Sequence, residues 1–142
     1  MKLESILAAK GRQVITTGAE TSIHDAIGLL ARHNIGALVV IDSGNTPTGI
    51  LSERDIIRHV AVSDRIEGAV VGDWMTSPVT VAAPADAIEA VLRTMTAGRF
   101  RHVPVVEGGR LIGIVSIGDL VKAERNDYRG VIETLESQLL DA

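Results

Sequence analysis

Cysteine is absent from these 142 residues, which excludes a disulfide framework, a thiolate metal site and a thiol nucleophile. Aromatic residues are nearly absent too: one Trp, one Tyr and one Phe. With 46% apolar residues, the interior is therefore expected to be built of Val, Ile, Leu and Ala. There is no long hydrophobic run. The longest, Ala37 to Ile41, falls far short of the roughly 20 residues of a membrane span, and the start of the chain has no apolar core behind a basic stretch. There is no excess of positive charge either. Fourteen Lys and Arg against 18 Asp and Glu give a net charge of −4, which leaves no basic footprint for nucleic acid. These absences lead to the expectation of a cytoplasmic protein with neither nucleic-acid nor membrane partners. The length suits one compact domain, or two half-domains sharing a core.

What is present is repetition. Gly49-Ile50-Leu51-Ser52-Glu53-Arg54-Asp55 returns as Gly113-Ile114-Val115-Ser116-Ile117-Gly118-Asp119, and Ile23, Ala26, Ile27 and Leu30 recur as Ile88, Val91, Leu92 and Met95. Two copies of one small unit imply pseudo-two-fold symmetry, with equivalent clefts where the copies meet. Each copy reads as strand, helix, strand, strand, helix. In the first, Val14–Thr16 is a short strand, and Thr21 or Ser22 caps a helix that ends at Asn34-Ile35-Gly36. Ala37–Ile41 is a buried strand, Asp42 to Pro47 a turn, Thr48–Leu51 a strand and Glu53–Val60 a helix. In the second, Val79–Val81 is the short strand, Pro84 and Asp86 open a helix closed by Gly98, Val103–Val106 and Leu111–Val115 form a hairpin, and a helix begins at Asp119. Trp74 lies between the copies. Val131, Leu135 and Leu139 give the tail the stripe of an amphipathic helix, which packs on the body or on a second subunit.

Two motifs bear on chemistry. Gly49-x-x-Ser52-x-x-Asp55 and its echo Gly113-x-x-Ser116-x-x-Asp119 have the pattern of a capped helix start. The acid is Asp both times, although Glu reaches back better in such a cap. A short carboxylate there can also accept two hydrogen bonds from a ribose cis-diol, beside a helix N-terminus that favours phosphate. The second motif is Gly98-Arg99-Phe100-Arg101-His102-Val103-Pro104, a basic cluster whose place in the first copy, Asn34-Ile35-Gly36-Ala37-Leu38, carries no charge. That contrast points to one phosphate-binding cleft of the two, since guanidinium forks suit phosphate oxygens. His24, His33 and His59 show no i, i+4 pairing, so no metal site is expected. Ser52 and Ser116 are the only plausible nucleophiles, and neither has a histidine partner that the sequence can place. No catalytic constellation emerges.

The two Gly-Ile-(Leu/Val)-Ser-x-x-Asp segments, Asn34 to Val40, Asp73-Trp74-Met75-Thr76 and Arg99 to Val106 together resemble cystathionine-β-synthase (CBS) domains. The whole chain is similar to a stand-alone CBS pair, over about residues 5 to 124. The resemblance implies an α/β fold of two tandem β-α-β-β-α repeats packed with pseudo-two-fold symmetry. Repeat 1 would span 5–62, a connector 63–78, repeat 2 79–124 and a C-terminal helix 125–142. It also implies up to two adenine-nucleotide clefts. One would combine Thr80, Val81, Arg101, His102 and Val103 with Ser52, Arg54 and Asp55. The other would combine Ile15, Thr16, Ala37 and Leu38 with Ser116 and Asp119. Gly36-Ala37 stands where the first of these clefts has Arg-His, so the second is either empty or holds a ligand whose charge is met elsewhere, by Lys10 or another subunit.

The function expected is a non-catalytic sensor that binds an adenine nucleotide, AMP ahead of ATP, ADP or NAD, and signals through the angle between repeats or within a homodimer, to a separate regulated protein. No catalytic cofactor and no metal are expected. The chain has no Gly-x-Gly-x-x-Gly after a strand, which excludes a Rossmann route to NAD. The alternative is a structural dimerisation module with clefts that bind nothing. An enzyme is the third class: IMP dehydrogenase carries a CBS pair, but this chain has neither a catalytic barrel nor a cysteine nucleophile.

Overall fold

The computed structural model of the protein describes residues 1–62 and 65–140. The chain opens with helix α1 (Leu3–Lys10). A first unit follows: strand β1 (Thr16–Thr17), helix α2 (Ile23–His33), strands β2 (Ala37–Ile41) and β3 (Pro47–Ser52), and helix α3 (Glu53–Ala61). A short helix α4 (Val71–Trp74) leads to a second unit made of α5 (Ile88–Gly98), β4 (His102–Glu107), β5 (Arg110–Ser116) and α6 (Ile117–Leu140). In the first unit β1 pairs parallel with β2, and β2 antiparallel with β3. In the second, β4 and β5 form an antiparallel hairpin.

Local chemistry accounts for these elements. Ser22 Oγ accepts from Asp25 N–H at 3.0 Å and caps α2, as the sequence predicts. The apolar stripe of α2 buries Ile23, Ala26 and Leu30, and that of α5 buries Ile88, Val91 and Met95. Both helices stop at a left-handed residue, Asn34 (φ 51°) and Arg99 (φ 58°), a common way of ending a helix. The β4–β5 turn places Gly108 and Gly109 at φ 59° and 78°, the two consecutive positive values that a two-residue hairpin turn needs.

Two expectations are corrected. The N-cap of α5 is Ala87, with no side-chain cap bond, so Pro84 and Asp86 precede the helix rather than open it. The strand expected at Val79–Val81 is absent. Only a bridge forms, one residue later, where Ala82 faces Val105. In the first unit Val39 N–H donates to Ile15 O at 3.4 Å. The residue matching Val39 is Pro104, which has no N–H to give, so the ladder is cut short. The expected C-terminal helix is present as the later part of α6, which runs unbroken from Ile117 to Leu140.

Packing follows an order different from that of the chain. Among the described residues there are two apolar cores. One gathers α2, β2, β3 and α4, including Val71 and Trp74. The other gathers α5, β4, β5 and the start of α6 together with Leu3, Ile6 and Leu7 of α1. Each unit is thus covered by the helix that precedes the other unit in sequence. The bonds repeat in step. Leu3 N–H donates to Asp86 O (3.0 Å) and Val71 N–H to Thr21 O (2.8 Å); Glu4 N–H donates to Pro84 O (2.9 Å) and Gly72 N–H to Ala19 O (2.8 Å). The covering helices are therefore related by an offset of 68 residues (3 to 71), the bodies by 65 (21 to 86).

This docking explains the glycine that leads each repeated motif. A Cβ on Gly49 would lie 2.5 Å from Met75 Sδ and 3.0 Å from Thr76 O, and one on Gly113 would lie 2.7 Å from Leu7 Cδ2. Met75 and Leu7 are themselves partners under the offset of 68. Gly49→Ala is expected to destabilise the protein by about 1–3 kcal/mol through overpacking. Gly28→Ala, inside α2 where a Cβ meets nothing within 4 Å, should stabilise by up to about 1 kcal/mol. Urea titration of the two variants measures both, and equal effects would dismiss the packing role of Gly49.

Candidate functional site

Two clefts open at the junction of the units, each built by a strand-to-helix turn of one unit facing the basic or neutral approach strand of the other. The turns are held identically. Glu53 N–H donates to Gly36 O at 2.9 Å, and Ile117 N–H donates to Arg101 O at 2.8 Å. At the start of α3, Asp55 N–H donates to Ser52 Oγ (3.2 Å) and Ser52 N–H to Asp55 Oδ2 (2.8 Å). At the start of α6, Asp119 N–H donates to Ser116 Oγ (3.1 Å) and Ser116 N–H to Asp119 Oδ2 (2.9 Å). Both motifs are therefore complete capping boxes. The cap holds each carboxylate on the cleft wall, and a carboxylate still has lone pairs to offer beyond two bonds.

The first cleft encloses about 280 Å³. Of the expected residues, Ser52, Arg54 and Asp55 of the first unit line it together with Thr80, Arg101 and His102. Arg58, Arg99 and Glu53 also face it, with Ile50, Val79 and Phe100 as apolar wall. Four guanidinium groups against two carboxylates make this a cationic cavity. Thr76 Oγ1 donates to Asp55 Oδ1 at 3.1 Å, so the ring of hydrogen bonds around Asp55 is made entirely of neutral donors.

The second cleft encloses about 320 Å³ and is lined by Ile15, Ala37, Ser116 and Asp119 of the expected residues, with Val14, Ile35 and Ile114. Its charge is cancelled internally. Lys10 Nζ donates to Asp119 Oδ2 at 2.7 Å and to Ile114 O at 2.9 Å. Burial alone would raise the Asp119 carboxyl, but bonding from Lys10 and Ser116 outweighs it and holds the group below the usual range. His102 lines both clefts. Burial lowers its pKa below the ordinary 6.5, against the opposing pull of Glu53 and Asp119, because a low-polarity setting disfavours the charged ring.

Four of the expected residues lie off these walls. Val103 and Leu38 are buried in the two cores, because adjacent side chains of a strand face opposite ways: His102 and Ala37 take the cleft, and their successors take the interior. Val81 and Thr16 are outside both linings. The sequence reading passed over Arg58 and Glu53. Arg58 follows Arg54 by four residues, one turn of the same helix face, and that spacing was the available signal. Among the described residues no three His, Cys, Asp or Glu side chains are grouped to hold a metal ion.

Comparison with known proteins shows the family and the fold. The sequence signature of the family described as CBS domain matches residues 10–62 and again 71–126. The chain is 30% identical over 146 aligned positions to the mitochondrial CBS domain-containing protein CBSX3 of Arabidopsis thaliana, covering 96% of this chain and 71% of that one. Among solved structures, the CBS-domain containing protein ATU1752 of Agrobacterium tumefaciens superposes with a TM-score of 0.81 at 43% identity, over 87% of this chain and 92% of the other. The CBS domain pair of protein MJ0100, solved in complex with methylthioadenosine and S-adenosyl-L-methionine, superposes with a TM-score of 0.79 at 26% identity, over 89% and 98% of the two chains.

Proposed function

The chain belongs to the CBS-domain family, as a pair of CBS repeats, and on that premise we propose that it is a non-catalytic sensor whose first cleft binds an adenine nucleotide, AMP ahead of ATP, ADP and NAD. One observation carries the reading: Asp55 of the first unit and Arg101 of the second line a single cavity of about 280 Å³. A carboxylate suits a ribose diol, arginines suit a phosphate, and Ile50, Val79 and Phe100 offer the apolar surface a base needs. In this reading Ser52, Arg54 and Asp55 hold the ribose side, while Thr80, Arg101 and His102 hold the phosphate side. The adenosine moiety of the ligands bound to MJ0100 supports the class of ligand.

The absence of catalysis is part of the proposal. Ser52 Oγ donates to Asp55 Oδ2 at 3.0 Å and accepts from Asp55 N–H, so its hydroxyl is committed to the helix cap. Tyr128, Val131, Ile132, Leu135 and Leu139 are exposed along α6, which supports a homodimer made through this helix, with the signal passing to a separate regulated protein. No helix among the described residues is long and apolar enough to cross a membrane; action in the cytoplasm is the expectation kept from the sequence. Mass analysis of the small molecule that co-purifies, followed by calorimetric titration of AMP, ATP, ADP and NAD into stripped protein, tests the reading. Saturable binding of one of them is expected. Binding of none would return Ser52 and Asp55 to helix capping alone and leave the dimerisation module as the function.

A further inference from the structure

We propose that Lys10 is the resident occupant of the second cleft, and that a nucleoside enters there only when the Lys10 ammonium leaves Asp119. The inference rests on the reading of Asp55 given above and extends it to its twin. Lys10 Nζ donates to Asp119 and to Ile114 O, whose counterparts in the first cleft, Asp55 and Ile50 O, accept instead from Thr76 Oγ1 and Thr76 N–H. The threonine is neutral, and among the described residues only hydroxyl and amide donors surround Asp55. A lysine in the same role reaches across to the carboxylate. Its three donors are already used in part on Asp119 Oδ2 and Ile114 O, and Ile114 is the twin of Ile50 on the wall of the first cleft.

The exchange has a direction. A ribose hydroxyl on Asp55 joins or displaces the neutral Thr76 hydroxyl. A cis-diol that takes both carboxylate oxygens of Asp119 must displace from Oδ2 an ammonium at 2.7 Å, which gives up an ion pair as well as a hydrogen bond. The rest of the second cleft offers no arginine to hold a phosphate, and Val14, Ile15, Ile35 and Ile114 make its walls apolar. The ligand class it fits is therefore an uncharged nucleoside, and the two clefts differ in ligand as well as in readiness. Lys10 sits at the end of α1, which Leu3, Ile6 and Leu7 anchor in the core, so its side chain can be changed without removing the helix.

The test is equilibrium dialysis with adenosine as the probe, in a background where the first cleft is disabled by Asp55→Ala. Asp55→Ala with Lys10 intact should take up little adenosine. Asp55→Ala/Lys10→Met should bind one equivalent, at least tenfold more tightly, and adding Asp119→Asn should abolish it. A double variant that binds no adenosine overturns the proposal. So does adenosine binding by Asp55→Ala that Asp119→Asn removes while Lys10 is in place, because the cleft would then be open. The first-cleft reading stands or falls separately, on AMP binding by the unmodified protein. Lack of AMP binding there, with adenosine bound by the double variant, would remove the sensor reading and keep the role of Lys10.

Discussion

Asp55→Ala is expected to lower AMP affinity at least about tenfold, which is about 1.4 kcal/mol, while costing the free protein about 1 kcal/mol of stability. The two effects have separate origins on one side chain. Oδ2 accepts from Ser52 N–H and Ser52 Oγ in the capping box, and Oδ1 accepts from Thr76 Oγ1. Loss of the cap accounts for the stability. Loss of a charged acceptor for a cis-diol accounts for the affinity, because hydrogen bonds to charged groups are worth about 1.5–3 kcal/mol each. Asp119→Ala removes an equivalent cap and also the Lys10 ion pair, which is partly exposed and adds roughly 0–1 kcal/mol. Stability should therefore fall about as much in either variant, whereas AMP affinity should fall only with Asp55→Ala. Calorimetric titration beside urea unfolding measures both. If the two variants lose stability alike and AMP affinity alike, the assignment of AMP to the first cleft is wrong.

How far the sequence carries this argument depends on distance along the chain. The stripes Ile23, Ala26, Leu30 and Ile88, Val91, Met95 are legible because one helix turn brings their members together, and both sets are buried. The Ser52–Asp55 and Ser116–Asp119 caps are legible for the same reason, being three residues apart. The shortened first strand of the second unit could have been read from Pro104, whose missing N–H removes a rung. The covering role of α1 could not. Its N-cap, Lys2, makes no side-chain cap bond, the helix is two turns long, and its apolar side chains pack against α5, β4 and β5, far along the chain. The Lys10–Asp119 bond spans 109 residues and is set by that docking, so nothing local announces it. The site was legible where strand alternation was respected: His102 and Ala37 reach the clefts, and Val103 and Leu38 turn away from them.

Arg101→Ala is expected to weaken AMP by roughly tenfold to a hundredfold, the loss of one charge-assisted phosphate bond of about 1.5–3 kcal/mol, and to leave adenosine nearly unchanged. The fold should tolerate the change, because the structural duty of this residue is its backbone carbonyl, which accepts from Ile117 N–H at 2.8 Å whatever the side chain. The guanidinium is one of four on the cavity wall, with Arg54, Arg58 and Arg99, so a remainder of phosphate attraction survives its removal, and that remainder should weaken as salt screens the exposed charges. The counterpart position in the first unit is Gly36, whose hypothetical Cβ would lie 3.4 Å from Glu53 Oε1 and 3.7 Å from His102 Cε1. An arginine there would add a cation beside Lys10 and His102 in the second cleft, where the present residues leave one ammonium already committed to Asp119. The asymmetry of the two clefts thus resides in two pairs of positions, Gly36 with Arg101 and Thr76 with Lys10. Titrating AMP and adenosine into Arg101→Ala at two salt concentrations reads the first pair directly. Equal weakening of both ligands would deny Arg101 any role toward phosphate and make it a support of the cavity wall.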